Sequence, residues 1–255
     1  MEFKFIENSV CAPQGFTANG VHCGIRKSRT KRDLALIFSA VPASAAAVYT
    51  TNLVKGAPLT VTRAHLADGR AQAVICNSGN ANTCNANGLE IAQGMADLTA
   101  KALNLPASDV IVASTGVIGQ SLDLAPIAAG LPELAAGLGQ HDDEASEAIM
   151  TTDTVSKQVA VEFTLGGKTC RLGGIAKGSG MIHPNLATML VFLTTDAAIS
   201  PAMLQKALST DVQTTFNMVS VDGDTSTNDM VSILANGLAG NAEIQSDGPD
   251  FEAFM

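Results

Sequence analysis

Short apolar runs alternate with longer amphipathic stretches along the chain. The runs LALIFSA (34–40), AAVYT (46–50), AQAVIC (71–76), VIVAS (110–114), QVAVEFTL (158–165) and TMLVFLTT (188–195) predict strands. The segment 88–103, GLEIAQGMADLTAKAL, places Leu89, Ala92, Met95, Ala96 and Leu103 near one helical face. A second helical region follows Asp123 and is expected to break near Pro132, and a third covers 142–150. Ser200 as N-cap and Pro201 in the first turn predict a helix to about 209. Thr227 and Asn228 precede the run DMVSILAN, which reads as another helix. At the end, Asp247 as cap, Pro249 in the first turn and Phe251, Phe254 and Met255 as the start of an apolar stripe predict a short helix. Two turns are marginal alone, so the simplest expectation is a piece of a longer protein. Strands next to strands, mixed with helices, indicate an α+β layered fold. No internal repeat is visible, and the one candidate boundary lies just before Thr188.

Composition narrows the function classes. With 46% hydrophobic and only 15% charged residues, 255 residues can bury a large core. Trp is absent and aromatics make up 4%, so a base-stacking groove is not expected. The net charge of −9 would repel a phosphate backbone or an anionic membrane, so neither nucleic acid nor membrane is an expected partner. MEFKFIENSV lacks the apolar core of a signal peptide, and the default location is cytoplasmic. Five cysteines without paired short spacing (Cys11, Cys23, Cys76, Cys84, Cys170) read as reduced, mostly buried thiols.

Several familiar motifs fail. In GGIAKGSG the lysine precedes the glycine, which is not the order of a phosphate-binding loop. Neither Ser78 nor Ser179 has the first glycine of a nucleophile elbow. VDGDTSTND (221–229) offers Asp222, Asp224 and Asp229 but has Thr227 and Ile233 where a calcium loop needs Gly and Glu, so a turn is expected there. The four histidines, among them His183, show no ligand spacing.

Three stretches keep their interest. In KGSGMIHPNLATML (177–190), Thr188 opens an apolar strand behind Gly178, Gly180 and Pro184. A threonine hydroxyl needs a base beside it, and an N-terminal threonine carries one, its own α-amine of pKa ~8. That requires the Ala187–Thr188 bond to break, by attack of the hydroxyl on the preceding carbonyl. The plain alternative is a glycine loop feeding a buried strand. In VIVASTGVIG (110–119) a strand delivers Ser114, Thr115 and Gly116 into a turn, where a hydroxyl and backbone N–H groups can face an oxyanion. CNSGNANTCNANG (76–88) reads as an ordered, hydrogen-bonded loop capping the next helix.

Together with GFTANGVHCGIR, MTTDT and SVDGDTSTND, these blocks resemble in content and order the ornithine acetyltransferase family, the bifunctional glutamate N-acetyltransferases of arginine biosynthesis. The resemblance runs from about Val10 to the chain end. It implies a layered α/β/β/α sandwich of the DmpA/ornithine-acetyltransferase type and self-cleavage between Ala187 and Thr188. The products are an α chain, 1–187, and a β chain that begins with 188–255 and continues further, assembled as αββα. By the same resemblance Thr188 is the nucleophile, Thr115 and Gly116 form the oxyanion pair, and Lys177 and Thr151 contact substrate, with Thr152 the near alternative to Thr151. The implied reaction moves an acetyl group from N-acetylornithine to glutamate through an acetyl-threonine, with no cofactor. Use of acetyl-CoA as a co-substrate stays open. Family members extend past residue 255 with further substrate contacts, which leaves the activity of these 255 residues alone open. Two rival readings stand beside this one: a related N-terminal-nucleophile amidase or aminopeptidase, and a non-catalytic, uncleaved binder of amino-acid-like anions.

Overall fold

The computed structural model describes residues 2–28, 30–181 and 189–255. Ala187 and Thr188, and with them His183 and Pro184, lie outside the described residues. In chain order the strands are β1 (Lys4–Phe5), β2 (Phe16–Val21), β3 (Leu34–Tyr49), β4 (Arg70–Asn77), β5 (Val110–Ser114), β6 (Lys157–Leu165), β7 (Lys168–Lys177), β8 (Leu190–Thr195) and β9 (Met230–Ala235). The helices are α1 (Ala57–His65), α2 (Gly88–Leu103), α3 (Ala125–Ala136), α4 (Asp142–Ile149), α5 (Pro201–Asp211) and α6 (Pro249–Phe254).

All described strands join one sheet in the order β1-β6-β7-β8-β9-β3-β4-β5, with β2 also paired to β3. The long strand β3 belongs to both halves of it. Its first part pairs with β2 and β4 and its last part with β9, and its register shifts between Phe38 and Ala43. Side-chain alternation then builds the layers. Leu34, Leu36, Ile75 and Val112 face Ala92, Met95 and Ala96 of α2 and Ile127 and Leu131 of α3. Their neighbours Ala35, Ile37, Val74 and Ile111 point the other way, into a cluster with Ile175, Leu190, Phe192, Met230 and Leu234 from the second half-sheet. Val191, Val231 and Ile233 face outward again, onto Leu204 and Leu208 of α5 and Phe251 of α6. The result is helix, sheet, sheet, helix, as expected, with α4 set against β2, β3 and β7.

Several local expectations are corrected. DMVSILAN is not helical: β9 lies between β8 and β3, and all six of its residues are buried because both faces are covered. The runs 34–40 and 46–50 are one strand, bent where Pro42 has no N–H to give the ladder. α3 does not break at Pro132, which sits on the exposed face while Leu131 and Leu134 anchor the helix. Leu89 is exposed instead of buried. Asp247 does not cap α6; Gly248 holds that position and Asp247 pairs with Lys206. β2 and β7, flanked by glycines, carried too weak a periodicity to be read as strands. The cap of α5 is as expected, with Ser200 Oγ accepting the Met203 N–H at 3.4 Å. All five cysteines are free thiols; Cys11, Cys76 and Cys170 are buried and Cys84 is exposed. Burial pushes the Cys76 thiol up to about 12, far from a nucleophile's range. No described helix is long and apolar enough to cross a membrane.

Candidate active site

Register decides where the candidate chemistry gathers. β4 and β5 are parallel and end together, with Asn77 opposite Ser114. On the facing half-sheet, Lys177 ends β7 opposite Leu190, and Leu190 opposite Met230 starts β8 and β9. Between these two sets of strand ends lies a cavity of about 810 Å³. Thr115, Gly116, Thr151, Thr152, Lys177 and Asn228 all line it.

The oxyanion candidates stand on a tightly held turn. Thr115 N–H donates to the Asn77 carbonyl at 2.9 Å. Asn77 Oδ1 accepts the N–H groups of Gly79 (3.2 Å) and Asn80 (3.1 Å), and its Nδ2 donates to Ser114 Oγ at 2.7 Å. Gly116 has φ +125°, and a Cβ there would lie 2.6 Å from the Gly79 carbonyl carbon and 2.8 Å from the Asn80 nitrogen. Only glycine allows the β4 and β5 exits to come this close. The asparagine-rich loop therefore does more than lead into α2: its first residues set the backbone beside Thr115.

Lys177 is 3% exposed, and its Nζ donates to Thr115 Oγ1 at 3.3 Å. Burial pulls its pKa below the ordinary lysine value, opposed by the charges of Asp153 and Asp229. Asp153 ties the next two pieces together. Its Oδ1 accepts Gly178 N–H (2.7 Å) and Lys157 Nζ (2.7 Å), and its Oδ2 accepts Thr151 N–H (3.2 Å). Thr152 instead shares a hydrogen bond with Ser179 at 2.7 Å. Arg26 donates from Nε to the Ser78 carbonyl at 3.0 Å and from Nη2 to the Met150 carbonyl, closing the rim.

Asn228 joins the two half-sheets. Its Nδ2 donates to the carbonyls of Ala81 (2.6 Å) and Ser114 (3.0 Å), and its Oδ1 accepts the Thr83 and Thr227 hydroxyls, each at 2.6 Å. The structure thus brings together Thr115, Gly116, Thr151 and Lys177, all singled out from sequence; Ala187 and Thr188 are outside the described residues. Sequence reasoning missed Asn77, Asp153 and Asn228 as site-building residues. Their one local signal is position, a polar residue inside a block otherwise noted for other reasons: Asn77 ends β4, Asn228 lies just before β9, and Asp153 sits in the connection from α4 to β6.

Comparisons with known proteins give the family. The chain is 52% identical over 251 residues to the arginine biosynthesis bifunctional protein ArgJ of Geobacillus kaustophilus, covering 97% of this chain and 61% of that one. It therefore spans about three fifths of the length of the curated relatives it matches. The solved ArgJ of Bacillus halodurans superposes with a TM-score of 0.68 at 41% identity, over 74% of this chain and 98% of that one. The ornithine acetyltransferase of Mycobacterium tuberculosis, solved with ornithine, superposes with a TM-score of 0.67 at 38% identity, over 74% of this chain and 100% of that one. With the ArgJ family model matching residues 17–255, the chain belongs to the ArgJ family.

Proposed function

We propose that these residues are part of a self-cleaving acetyltransferase of arginine biosynthesis that moves an acetyl group from N-acetylornithine to glutamate. One observation carries the reading: three segments separate in sequence bring Thr115 and Gly116, Thr151, and Lys177 around one cavity, at the end of the sheet where β8 starts. In this reading the Thr188 hydroxyl attacks the Ala187 carbonyl. The C–N bond breaks, an ester forms on Thr188 and its α-amine is freed; water then opens the ester. The chain divides into 1–187 and a part starting at 188. The coverage of the solved relatives supports the division, since chains matched over 98% and 100% of their own length use only 74% of this one, about the share that precedes Thr188.

In the transfer, the α-amine of Thr188 takes the hydroxyl proton as oxygen attacks the acetyl carbon. Thr115 and the Gly116 N–H face the oxyanion. The amine returns the proton to the departing nitrogen, and ornithine leaves an acetyl ester on Thr188. The amine of glutamate takes that acetyl group in the reverse sequence. A lysine ammonium only donates, so it is the Thr115 oxygen that accepts from Lys177, which leaves the Thr115 proton for the oxyanion. Lys177 also supplies a compact positive charge for a substrate carboxylate. Thr151, fixed by Asp153, is the better substrate contact, because the Thr152 hydroxyl is engaged with Ser179. An αββα assembly and a cytoplasmic location belong to the same reading, as does the question of acetyl-CoA as a second donor.

The test uses the complete protein. Terminal sequencing of the second chain should begin at Thr188, and Thr188→Ala should stay intact. Rapid quench with N-acetylornithine alone should trap one acetyl group on that chain, and glutamate should discharge it as N-acetylglutamate. A cut elsewhere, or transfer without an acetylated chain, would reject the reading.

A further inference from the structure

Asp229 directly precedes β9 and is 1% exposed. Its Oδ1 accepts the backbone N–H of Met189 at 2.8 Å, and its main-chain carbonyl accepts the Thr50 N–H at 3.0 Å. The Met189 carbonyl in turn accepts the Met230 N–H at 3.1 Å. Two consecutive residues at the start of β9 therefore grip Met189 on both sides, one through a side chain and one through the backbone. From Leu190 onward the ordinary β8–β9 ladder takes over.

The other carboxyl oxygen, Oδ2, has no hydrogen-bond partner among the described residues. Leaving a buried polar atom bare costs about 1–3 kcal/mol, and such atoms in native proteins call for a reason. The buried carboxylate of Asp153, by contrast, has both oxygens engaged. Besides the Ser226 hydroxyl, the Asp229 carboxyl meets one backbone N–H, and that N–H belongs to the peptide joining residues 188 and 189. A peptide group is planar, so fixing its N–H direction also fixes the plane of the preceding carbonyl and the Cα that carries it. Burial pushes the Asp229 carboxyl up to about 7, against the pull of Ser226, the Met189 N–H and Lys177.

The geometry points to Asp229 as a positioning residue that orients the 188–189 peptide for self-cleavage and for acetyl transfer. The inference rests on the reading of Thr188 as the nucleophile. Asp229 is absent from the cavity lining, whereas its neighbour Asn228 is part of it. It acts through Met189 and not on substrate, so its loss changes turnover and leaves substrate affinity alone.

The experiment compares the complete wild-type protein with Thr188→Ala, Asp229→Ala and Asp229→Asn. It follows cleavage by mass spectrometry, and kcat and KM for N-acetylornithine on the cleaved fraction. A misplacement of about 1 Å at a reacting group costs roughly 100-fold. Asp229→Ala should therefore cleave and turn over about 100-fold more slowly, with KM unchanged, as expected for lost orientation. Asp229→Asn keeps an oxygen for the Met189 N–H and should restore most of both rates. If Thr188→Ala is inert while Asp229→Ala cleaves like the wild type, Asp229 has no such role and the nucleophile stands. If Thr188→Ala itself cleaves, the nucleophile reading fails and takes this inference with it. A raised KM with unchanged kcat makes Asp229 a substrate contact and overturns the proposal. Should Asp229→Ala not fold, Asp229→Leu, of similar volume and without an acceptor, replaces it. If both unfold while the Asn variant behaves normally, the residue serves the fold alone and the proposal is wrong.

Discussion

Lys177 Nζ lies 3.3 Å from Thr115 Oγ1, although 62 residues separate them and they sit on different half-sheets. The contact couples the site's buried cation to its hydroxyl. Thr115→Ala should slow acetyl transfer about 100- to 1,000-fold, the usual loss for one oxyanion donor, with Thr115→Ser recovering most of it. Lys177→Met should lower kcat through Thr115 and also raise KM for substrates that carry a carboxylate. Steady-state kinetics of the two single variants and the double variant separate these effects. Strict additivity would mean the contact is catalytically idle.

Gly116→Ala should be worse than a lost contact. Its φ of +125° is strained for any other residue, and the added methyl would meet backbone atoms of Gly79 and Asn80, which cannot swing aside. The turn must open, moving the Thr115 hydroxyl. We expect a stability loss above about 1 kcal/mol in urea unfolding and transfer reduced at least about 100-fold. A variant of wild-type stability and rate would show that the two strand exits have room to part.

Asp153 predicts a pH dependence of stability. Burial alone would raise its carboxyl pKa, but Lys157 and the N–H groups of Gly178 and Thr151 override this and hold it below the ordinary value. A folded-state pKa below the unfolded one stabilises fully above the unfolded value of about 3.9, and the benefit is lost as pH falls through the folded value. Asp153→Asn should therefore lower Tm at neutral pH and change it little in strong acid. Thermal melts from about pH 7 down to about pH 2 check this. A uniform loss across the range would remove Asp153 from the acid response.

Asn228→Ala should cost about 2 kcal/mol, because it strips the amide from the buried Ser114 carbonyl and the acceptor from the Thr227 hydroxyl, while the Thr83 hydroxyl and the Ala81 carbonyl keep each other. It should also loosen the Ser114–Thr115 peptide that the Asn228 amide holds, so turnover should fall with stability. Chemical denaturation and kinetics on the same preparation test both. An unchanged midpoint would mean that the half-sheets are held by their apolar core alone.

Local signals made part of this molecule readable. VIVAS is β5, and Ser200-Pro201 starts α5, because a strand of β-branched residues and an N-cap are decided within a few residues. The order of the STGVIG, MTTDT and KGSGM…ATML blocks was enough to name the family and four cavity residues. The same local reading failed for Met230–Ala235, where an apolar run without alternation suits a buried helix as well as a central strand. There the neighbours β3 and β8 supply the hydrogen bonds that settle the conformation.

Residue types and short-range order, then, singled out the candidate groups: a hydroxyl followed by a glycine at a strand exit and a lysine before a glycine loop. Their assembly was decided elsewhere. Thr115 and Lys177 meet because parallel pairing ends β4 and β5 at one level while antiparallel pairing ends β7 where β8 begins, and Thr151 joins them through Asp153, which holds the N–H groups of both Thr151 and Gly178. The roles of Asn228 and Asp229 come from the same long-range register, whereas Asp153 works closer to home, holding Thr151, Lys157 and Gly178. A polar residue at a strand end looks like any other turn residue until the facing half-sheet shows which N–H groups or carbonyls it must hold. Strand pairing across more than a hundred residues leaves no periodic trace in the chain itself.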